Sequence, residues 1–399
     1  MHDHFIIEML WIKDGNVKVW DVSYEDEQIL RADLYTEKRK QKCPSCGNKT
    51  KRVHGYRNQM IQGPRLVQGK VTVSLRKRRY ACGECGKTFY ERLQMIERYQ
   101  RALTSVQNEA LMYAADSSFT TAARWAGISV TRLIRLFDRR EMKTPTVLPR
   151  AIAIDEFKGD AGGERFQTII VDVERKEIVD ILPDRKVDTI KKYLRSCDTS
   201  GVEIVVMDLS KWFKKAVRDV LGDPLIIADR FHFMRQVYWA LDEVRRDVQG
   251  ELDKKSRIHM KRSKKLLWKS HYDLNEEQKL KVEKLLQIDP KLREAYELKN
   301  LMEQWFRESD HETASKQLDK CLEALRASNT EGFKRVRKTF MNWRQEILQA
   351  FMYPFNNGYI EGVNNTIKVM KRTSYGIKNF ERMRNKILWN QEMKMAMGS

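Results

Sequence analysis

Three short apolar runs in this chain each stop on an aspartate. Ala151–Ile154 leads into Asp155, Glu-Ile-Val-Val-Met (203–207) into Asp208, and Leu-Ile-Ile-Ala (225–228) into Asp229. Runs of this length, rich in β-branched residues, suit buried strands and are too short for helices. Residues 165–173 and 177–182 read as further strands, with Gly159, Gly162 and Gly163 supplying the first turn, and 187–197 and 211–221 carry a helical period. The order β-β-β-α-β-α-β predicts a mixed sheet covered by helices. A carboxylate ending a buried run is costly unless it is paired or bound to a cation. Ligand sites in open sheets gather at such strand ends. The same residues that predict the sheet therefore predict a divalent-metal site suited to phosphoryl transfer.

Side chains alternate along a strand, so Asp155 and Glu156 face opposite ways and only one can join a given site. Asp155, which ends the apolar run, is the expected member. Asp208 stands at a strand-to-helix switch, where the alternative role is to cap the helix beginning near Ser210. Asp229 and His232 form a D-x-x-H element. A supporting role fits them better than ligation, because Mg²⁺ prefers oxygen ligands and keeps few protein contacts. Far downstream, Glu361 opens a predicted helix on which Asn364, Asn365 and Lys368 share its face. Taken alone, Glu361 reads as a first-turn glutamate favoured by the helix dipole.

Cys43-Pro-Ser-Cys46-Gly and Cys82-Gly-Glu-Cys85-Gly are two C-x-x-C-G knuckles. Each sets two thiolates on one side of a tight turn, and together they complete a closed tetrahedral zinc site. The gap between them exceeds the usual short ribbon spacing and leaves room for a β-hairpin or longer loop. A redox role is the alternative for one C-x-x-C, but two knuckles in a basic chain favour structural zinc. His54 could displace a cysteine, although a lone histidine is more often an ordinary surface residue. Cys197 and Cys321 stand alone and read as packed core. Next to the second knuckle, Arg76, Lys77, Arg78 and Arg79 follow an alternating strand. They suit contact with a DNA backbone, or else a solvated edge strand that repels pairing.

Ser118 to Phe137 reads as a short helix, a turn at Gly127, an N-cap at Ser129 and a second amphipathic helix. That is a helix-turn-helix pattern in which Thr131, Arg132 and Arg135 would project toward bases or phosphates. Ile128, Leu133, Leu136 and Phe137 would pack inward. The chain holds 76 Lys and Arg against 55 Asp and Glu, a net charge of +21, which attracts a phosphate backbone. No apolar stretch approaches the roughly 18–20 residues needed to span a bilayer. The first residues lack a signal-peptide layout. A cytoplasmic protein without a membrane partner is expected.

From Met234 to Ala350 the sequence is rich in Lys, Glu, Leu and Arg and reads as helical throughout, without a sustained heptad. Lys254-Lys255 and Lys261 to Lys265 are candidate phosphate contacts there, or solubilising charge. The expected organisation is a zinc-ribbon module over 1–99, a helix-turn-helix over 100–148, and a first core segment over 149–233. A helical insertion over 234–350 and C-terminal helices over 351–399 complete it.

With these pieces in this order, the chain resembles the DDE transposases of bacterial insertion sequences, of the ISL-three type with an amino-terminal zinc ribbon. The matching pieces are the two knuckles, Ala153-Ile-Asp155-Glu-Phe, Val205-Val-Met-Asp208-Leu-Ser, Ala228-Asp229-Arg-Phe-His232 and Tyr359-Ile-Glu361-Gly-Val-Asn364-Asn365-Thr-Ile-Lys368. Tyr375 to Phe380 and Arg384 to Leu388 match the family's C-terminal tail. The resemblance implies an α/β multi-domain protein: an RNase H-like core with a long helical insertion before the last acid. It implies that Asp155, Asp208 and Glu361 are the DDE triad, and that the triad holds two Mg²⁺ or Mn²⁺ ions. The expected reaction is hydrolytic cleavage at the element's end, then attack of the freed 3′-hydroxyl on target DNA. Zinc in the ribbon, double-stranded DNA at element ends and target, a homodimer or larger synaptic assembly, and a nucleoid location complete the expectation. A DNA-binding protein without catalysis and a structure-selective RNase H-like nuclease are the alternatives.

Overall fold

The computed structural model describes residues 2–66, 69–355 and 358–398. Two compact units result: Met1–Met142 with Ile367–Ser399, and Lys143–Thr366.

In the first unit, helix α1 (His2–Met9) precedes strands β1 (Val17–Asp26) and β2 (Ile29–Thr36). The short pair β3 (Gln41–Lys42) and β4 (Lys49–Thr50), the long hairpin of β5 (Val53–Leu66) and β6 (Gly69–Ala81), and β7 (Thr88–Tyr90) follow. The sheet order is β1-β2-β6-β5, with β7 also paired to β6. The hairpin occupies the long gap between the cysteine knuckles. Its register follows the period-2 pattern of β6: Val71, Val73 and Leu75 are buried while Arg76 is exposed.

Helices α2 (Thr104–Asp116), α3 (Phe119–Ala126) and α4 (Val130–Asp138) cover this core. The junction of α3 and α4 follows the sequence closely. Ser118 caps α3, Gly127 turns with φ of +71°, and the Ser129 hydroxyl accepts from the Arg132 N–H to cap α4. Leu133 and Phe137 are fully buried.

The C-terminal helix (Phe380–Ala396) belongs to this unit rather than to the segment before it. The sequence division groups 351–399 together, whereas the contacts change partners between Thr366 and Ile367. The reason is a dock on the end of α2. Trp389 Nε1 donates to the Leu111 carbonyl at 2.8 Å, and Asn390 Nδ2 donates to Ala115 at 3.2 Å. The buried Lys386 ammonium donates to the carbonyls of Ala114 and Ser117. The last carbonyls of a helix lack intrahelical partners, and a cation there also favours the helix dipole.

The second unit begins with β8 (Ala151–Phe157), β9 (Gln167–Asp172) and β10 (Glu177–Leu182), then α5 (Val187–Ser196), β11 (Ile204–Met207), α6 (Lys211–Leu221) and β12 (Leu225–Ala228). The sheet order is β10-β9-β8-β11-β12. β9 runs antiparallel to both β8 and β10, while β8, β11 and β12 are parallel. Ile152, Ile154, Val205 and Met207 pack with residues of α5 and α6 in one core.

The helical segment starts at α7 (Arg230–Glu251), directly after β12 and four residues before the sequence boundary at Met234. Helices α8 (Lys254–Arg262), α9 (Lys264–Trp268), α10 (Glu276–Leu286), α11 (Pro290–Glu308), α12 (Ala314–Ala327), α13 (Glu331–Asn342) and α14 (Arg344–Met352) follow. Phe233, Trp305 and Phe340 meet edge-on or tilted in their shared core. Helix α15 (Gly358–Thr373) carries Glu361 in its first turn. Among the described residues no helix is long and apolar enough to cross a membrane.

Candidate active site and metal centres

Ile154, Met207 and Ala228 are register neighbours on β8, β11 and β12. The next residue on each is an aspartate, so Asp155, Asp208 and Asp229 stand in a row across three parallel strands. Neighbouring strands lie about 4.8 Å apart, near enough for the charges of Asp208 and Asp229 to act on Asp155. Because Ile152 and Ile154 face α5 and α6, alternation turns Asp155 to the opposite face of the sheet. Asp155 is buried, whereas Glu156 points away and pairs with Arg185 at 2.7 Å.

Burial pushes the Asp155 carboxyl up to about 6. The Glu156 N–H and His232 pull against that rise, and the charges of Asp208 and Asp229 add to it. Burial likewise raises Asp208, opposed by His232 and by the Ser210 N–H, which donates to its Oδ1 at 2.9 Å. The cap of α6 is Ser210 itself, whose hydroxyl accepts from the Phe213 N–H. The capping role open to Asp208 in the sequence therefore falls to its neighbour.

Asp229 is buried at the N-cap position of α7 but makes no capping bond with its side chain. Its Oδ2 lies 3.2 Å from Nδ1 of His232. Burial disfavours charge on that imidazole, yet the carboxylates of Asp229 and Asp155 outweigh it and hold its pKa above the usual range.

Helix α15 reaches this row. Asn364 Nδ2 donates to Asp155 Oδ2 at 3.2 Å, and Asn364 Oδ1 is buried without a partner. Glu361 lies one turn earlier on the same helix and is exposed. Asn365 and Lys368 are also exposed, and Lys368 lies beyond the unit boundary at Thr366. The donor set fits a hard divalent cation: carboxylate oxygens, plus an amide oxygen that no described residue satisfies. One neighbour escapes sequence reasoning. The positive charge of Arg235, on α7, lowers the pKa of both Asp208 and His232. Its only sequence signal is a place one turn after His232.

The four knuckle cysteines form the tighter cluster. Among the described residues, they are the one group whose candidate ligand atoms all lie within 4.8 Å of one another. Cys43 and Cys85 sulfurs are 3.6 Å apart, and those of Cys46 and Cys82 are 3.5 Å apart. A disulfide would require about 2.05 Å, whereas a tetrahedron of sulfurs each about 2.3 Å from zinc has edges near these distances. Each knuckle closes on its own backbone, Cys43 N–H to Asn48 and Cys82 N–H to Lys87. Gly47 and Gly86 take the left-handed turn positions at φ of +77° and +69°. The Cys46 N–H helps hold the Cys43 thiol down at about 6. Cys46, although the Asn48 N–H pulls it down, is pushed up to about 12 by the sulfurs of Cys82 and Cys85. A cation among the four sulfurs would relieve that crowding. His54 is exposed and outside the cluster.

The basic run beside the second knuckle is not on an edge strand. β6 lies between β5 on one side and β2 and β7 on the other, so blocking an open edge is not its role. Alternation also splits the run between two faces. Arg76 and Arg78 stack on the Tyr56 ring, at 4.3 and 5.6 Å from its centre. Burial lowers Lys77, and Arg79 donates to Thr88 Oγ1. On α4, Thr131 and Arg135 are exposed, but the Arg132 guanidinium is half-buried and donates to Gln100 Oε1 at 2.7 Å.

A family model described as a transposase, of the ISL3 DDE type, matches residues 152–387, more than half of the chain. The chain belongs to the ISL3 transposase family. A second model, described as the zinc-finger of transposase IS204/IS1001/IS1096/IS1165, matches residues 39–85 and contains all four cysteines. The transposase for insertion sequence element IS1001 of Bordetella parapertussis is 24% identical over 354 residues, 85% of this chain and 86% of that one. The transposase for insertion sequence element IS1557 of Mycobacterium tuberculosis is 24% identical over 259 residues, 58% of this chain and 57% of that one. The acid row and the cysteine cluster are thus parts of an ISL3 transposase with a zinc ribbon.

Proposed function

We propose that this ISL3 transposase cuts and joins DNA through Asp155, Asp208 and Glu361 in an RNase H-like core. The observation that carries the reading is the bond from Asn364 to Asp155, which brings the helix of Glu361 onto the aspartate row. The strand order, three antiparallel strands followed by two parallel ones, supports the core assignment. Bound to these acids, two Mg²⁺ or Mn²⁺ ions would activate the attacking oxygen and stabilise the leaving one. Asp155, Asp208 and Glu361 would hold that charge, with Asn364 orienting Asp155. His232, paired with Asp229, offsets the mutual repulsion of the aspartates. The burial of Asp155 and Asp229 strengthens the interactions at their end of the row.

The zinc ribbon, Arg76 and Arg78 with Tyr56, and Thr131 and Arg135 on α4 would recognise the element's terminal inverted repeats. The helices α3 and α4 serve there as a helix-turn-helix. The joining of two ends calls for a dimer or larger synaptic assembly.

Labelled duplex carrying the inverted repeats that flank the gene tests the reading. With Mg²⁺ the protein nicks at the repeat end and joins the freed 3′-hydroxyl to a second DNA. Asp155→Asn, Asp208→Asn and Glu361→Gln bind the same ends but do not cut. Cleavage without joining makes the protein a nuclease, and end binding without cleavage makes it a binding protein.

A further inference from the structure

Helix α7 carries four arginines, and three of them have acceptors. Arg230 donates to the Ala350 carbonyl, Arg245 to Asp242, Gln249 and Met260, and Arg246 to the Asp242 carbonyl. Arg235 differs. Its Nε is buried without a hydrogen-bond partner, and among the described residues no ion pair engages its guanidinium. Two aromatic rings nevertheless fix it in place. Its guanidinium carbon lies 5.4 Å from the centre of the Phe231 ring and 4.7 Å from that of Trp239, one turn to either side. Both rings are otherwise open, Phe231 at 59% and Trp239 at 47% exposure. Arg235 also sits one turn past His232, on the helix whose N-terminus carries Asp229.

A guanidinium that is oriented, partly desolvated and without an acceptor is costly unless a ligand supplies one. The nearby carboxylates do not pair with it, and with cations bound they would be still less able to. The acceptor that suits its planar fork in a strongly basic chain is a phosphate oxygen. We propose that Arg235 is a substrate-contacting residue that binds a non-bridging oxygen of the DNA phosphodiester brought to the Asp155–Asp208 row. Phe231 and Trp239 hold the guanidinium ready for it. This assignment rests on reading that row as the catalytic centre.

Single-turnover cleavage of repeat-end duplex, measured with Mg²⁺ in full-length protein, tests it. Asp155→Asn is run alongside, and its inactivity establishes the centre independently of Arg235. Arg235→Ala is expected to cut about 100-fold more slowly, the usual loss for one transition-state donor, with end binding changed less than about threefold. Millimolar guanidinium added to Arg235→Ala should restore part of the rate, which the loss of a merely structural stem would not allow. Arg235→Gln, which keeps a stem over the two rings, decides the matter if the alanine variant misfolds. Cleavage by a folded variant within threefold of wild type overturns the proposal, as does a slow rate that guanidinium leaves unchanged. Wild-type cutting by Asp155→Asn overturns the catalytic reading instead.

Discussion

Asn364 and Asp155 are 209 residues apart in sequence, and the amide of one donates to the carboxylate of the other across 3.2 Å. That bond orients a buried acid of the row, and among the described residues the Asn364 carbonyl oxygen has no partner. Asn364→Ala should slow cleavage about 10–100-fold and raise the Mg²⁺ concentration needed for half-maximal rate, as loss of a group orienting a metal ligand does. A metal titration of cleavage measures both. Unchanged metal dependence would mean that the amide plays no part in the site.

The pKa of Asp155 gives a stability test with a definite sign. Its folded value of about 6 lies above the ordinary 3.8, so the folded state binds a proton more tightly than the unfolded chain does. The resulting stabilisation is complete below about 4 and is lost as pH rises through 6. In metal-free protein, Asp155→Asn should therefore be the more stable form at pH 7, by on the order of 3 kcal/mol. The difference should vanish near pH 4. Denaturant unfolding at the two pH values checks this, and a gain independent of pH would contradict the assignment.

Zinc should be bound once per chain and should hold the ribbon together. Cys43→Ser with Cys82→Ser is expected to lose the metal and end-specific binding, because the small β3–β4 pair has little core of its own. Metal analysis of protein purified without chelators, together with gel-shift assays, measures the two losses. Protein that carries no zinc and still binds repeat ends would refute the ribbon's role.

The residues proposed to meet DNA divide into two kinds. Tyr56, Arg76 and Arg78 form one stacked unit on the sheet. Arg76→Ala should weaken binding to all sequences alike and reduce the salt slope by about one ion. Arg132 is engaged with Gln100, so Arg132→Ala should lower the melting temperature more than it alters sequence preference. Binding titrations over a salt series, with melting curves, separate the two kinds.

Lys386 gives the first unit a pH signature of its own. Burial lowers its ammonium to about 8, against an ordinary 10.5. The folded state therefore holds the proton less tightly, and stability should climb as pH rises from 8 toward 10.5 and level off below 8, where both states are protonated. Lys386→Met should flatten that climb, which unfolding curves at pH 8 and 10 reveal.

The local pattern of the chain carries a large share of this. Period-2 alternation separates Asp155 from Glu156, because Ile152 and Ile154 enter the core beneath the helices and Asp155, one residue on, must face the other way. Serine, glycine, serine at 118, 127 and 129 marks the ends of α3 and α4, since caps and left-handed turns need those residue types. The two knuckles locate the sulfur cluster, and their spacing leaves room for the β5–β6 hairpin. Such features depend on neighbours a few residues apart, which is the range over which a sequence can be read directly.

Only tertiary packing decided the rest. It placed β6 inside its sheet, engaged Arg132 with Gln100, returned the C-terminal helix to α2, and left Arg235 as the one arginine of α7 without an acceptor among the described residues. Each depends on which distant surface meets which. A helix face or strand edge reads the same in sequence whether its partner lies in the next turn or two hundred residues away. The choice among partners is made by burial and by the need of each buried polar group to find a match, and those are settled only when the whole chain is packed.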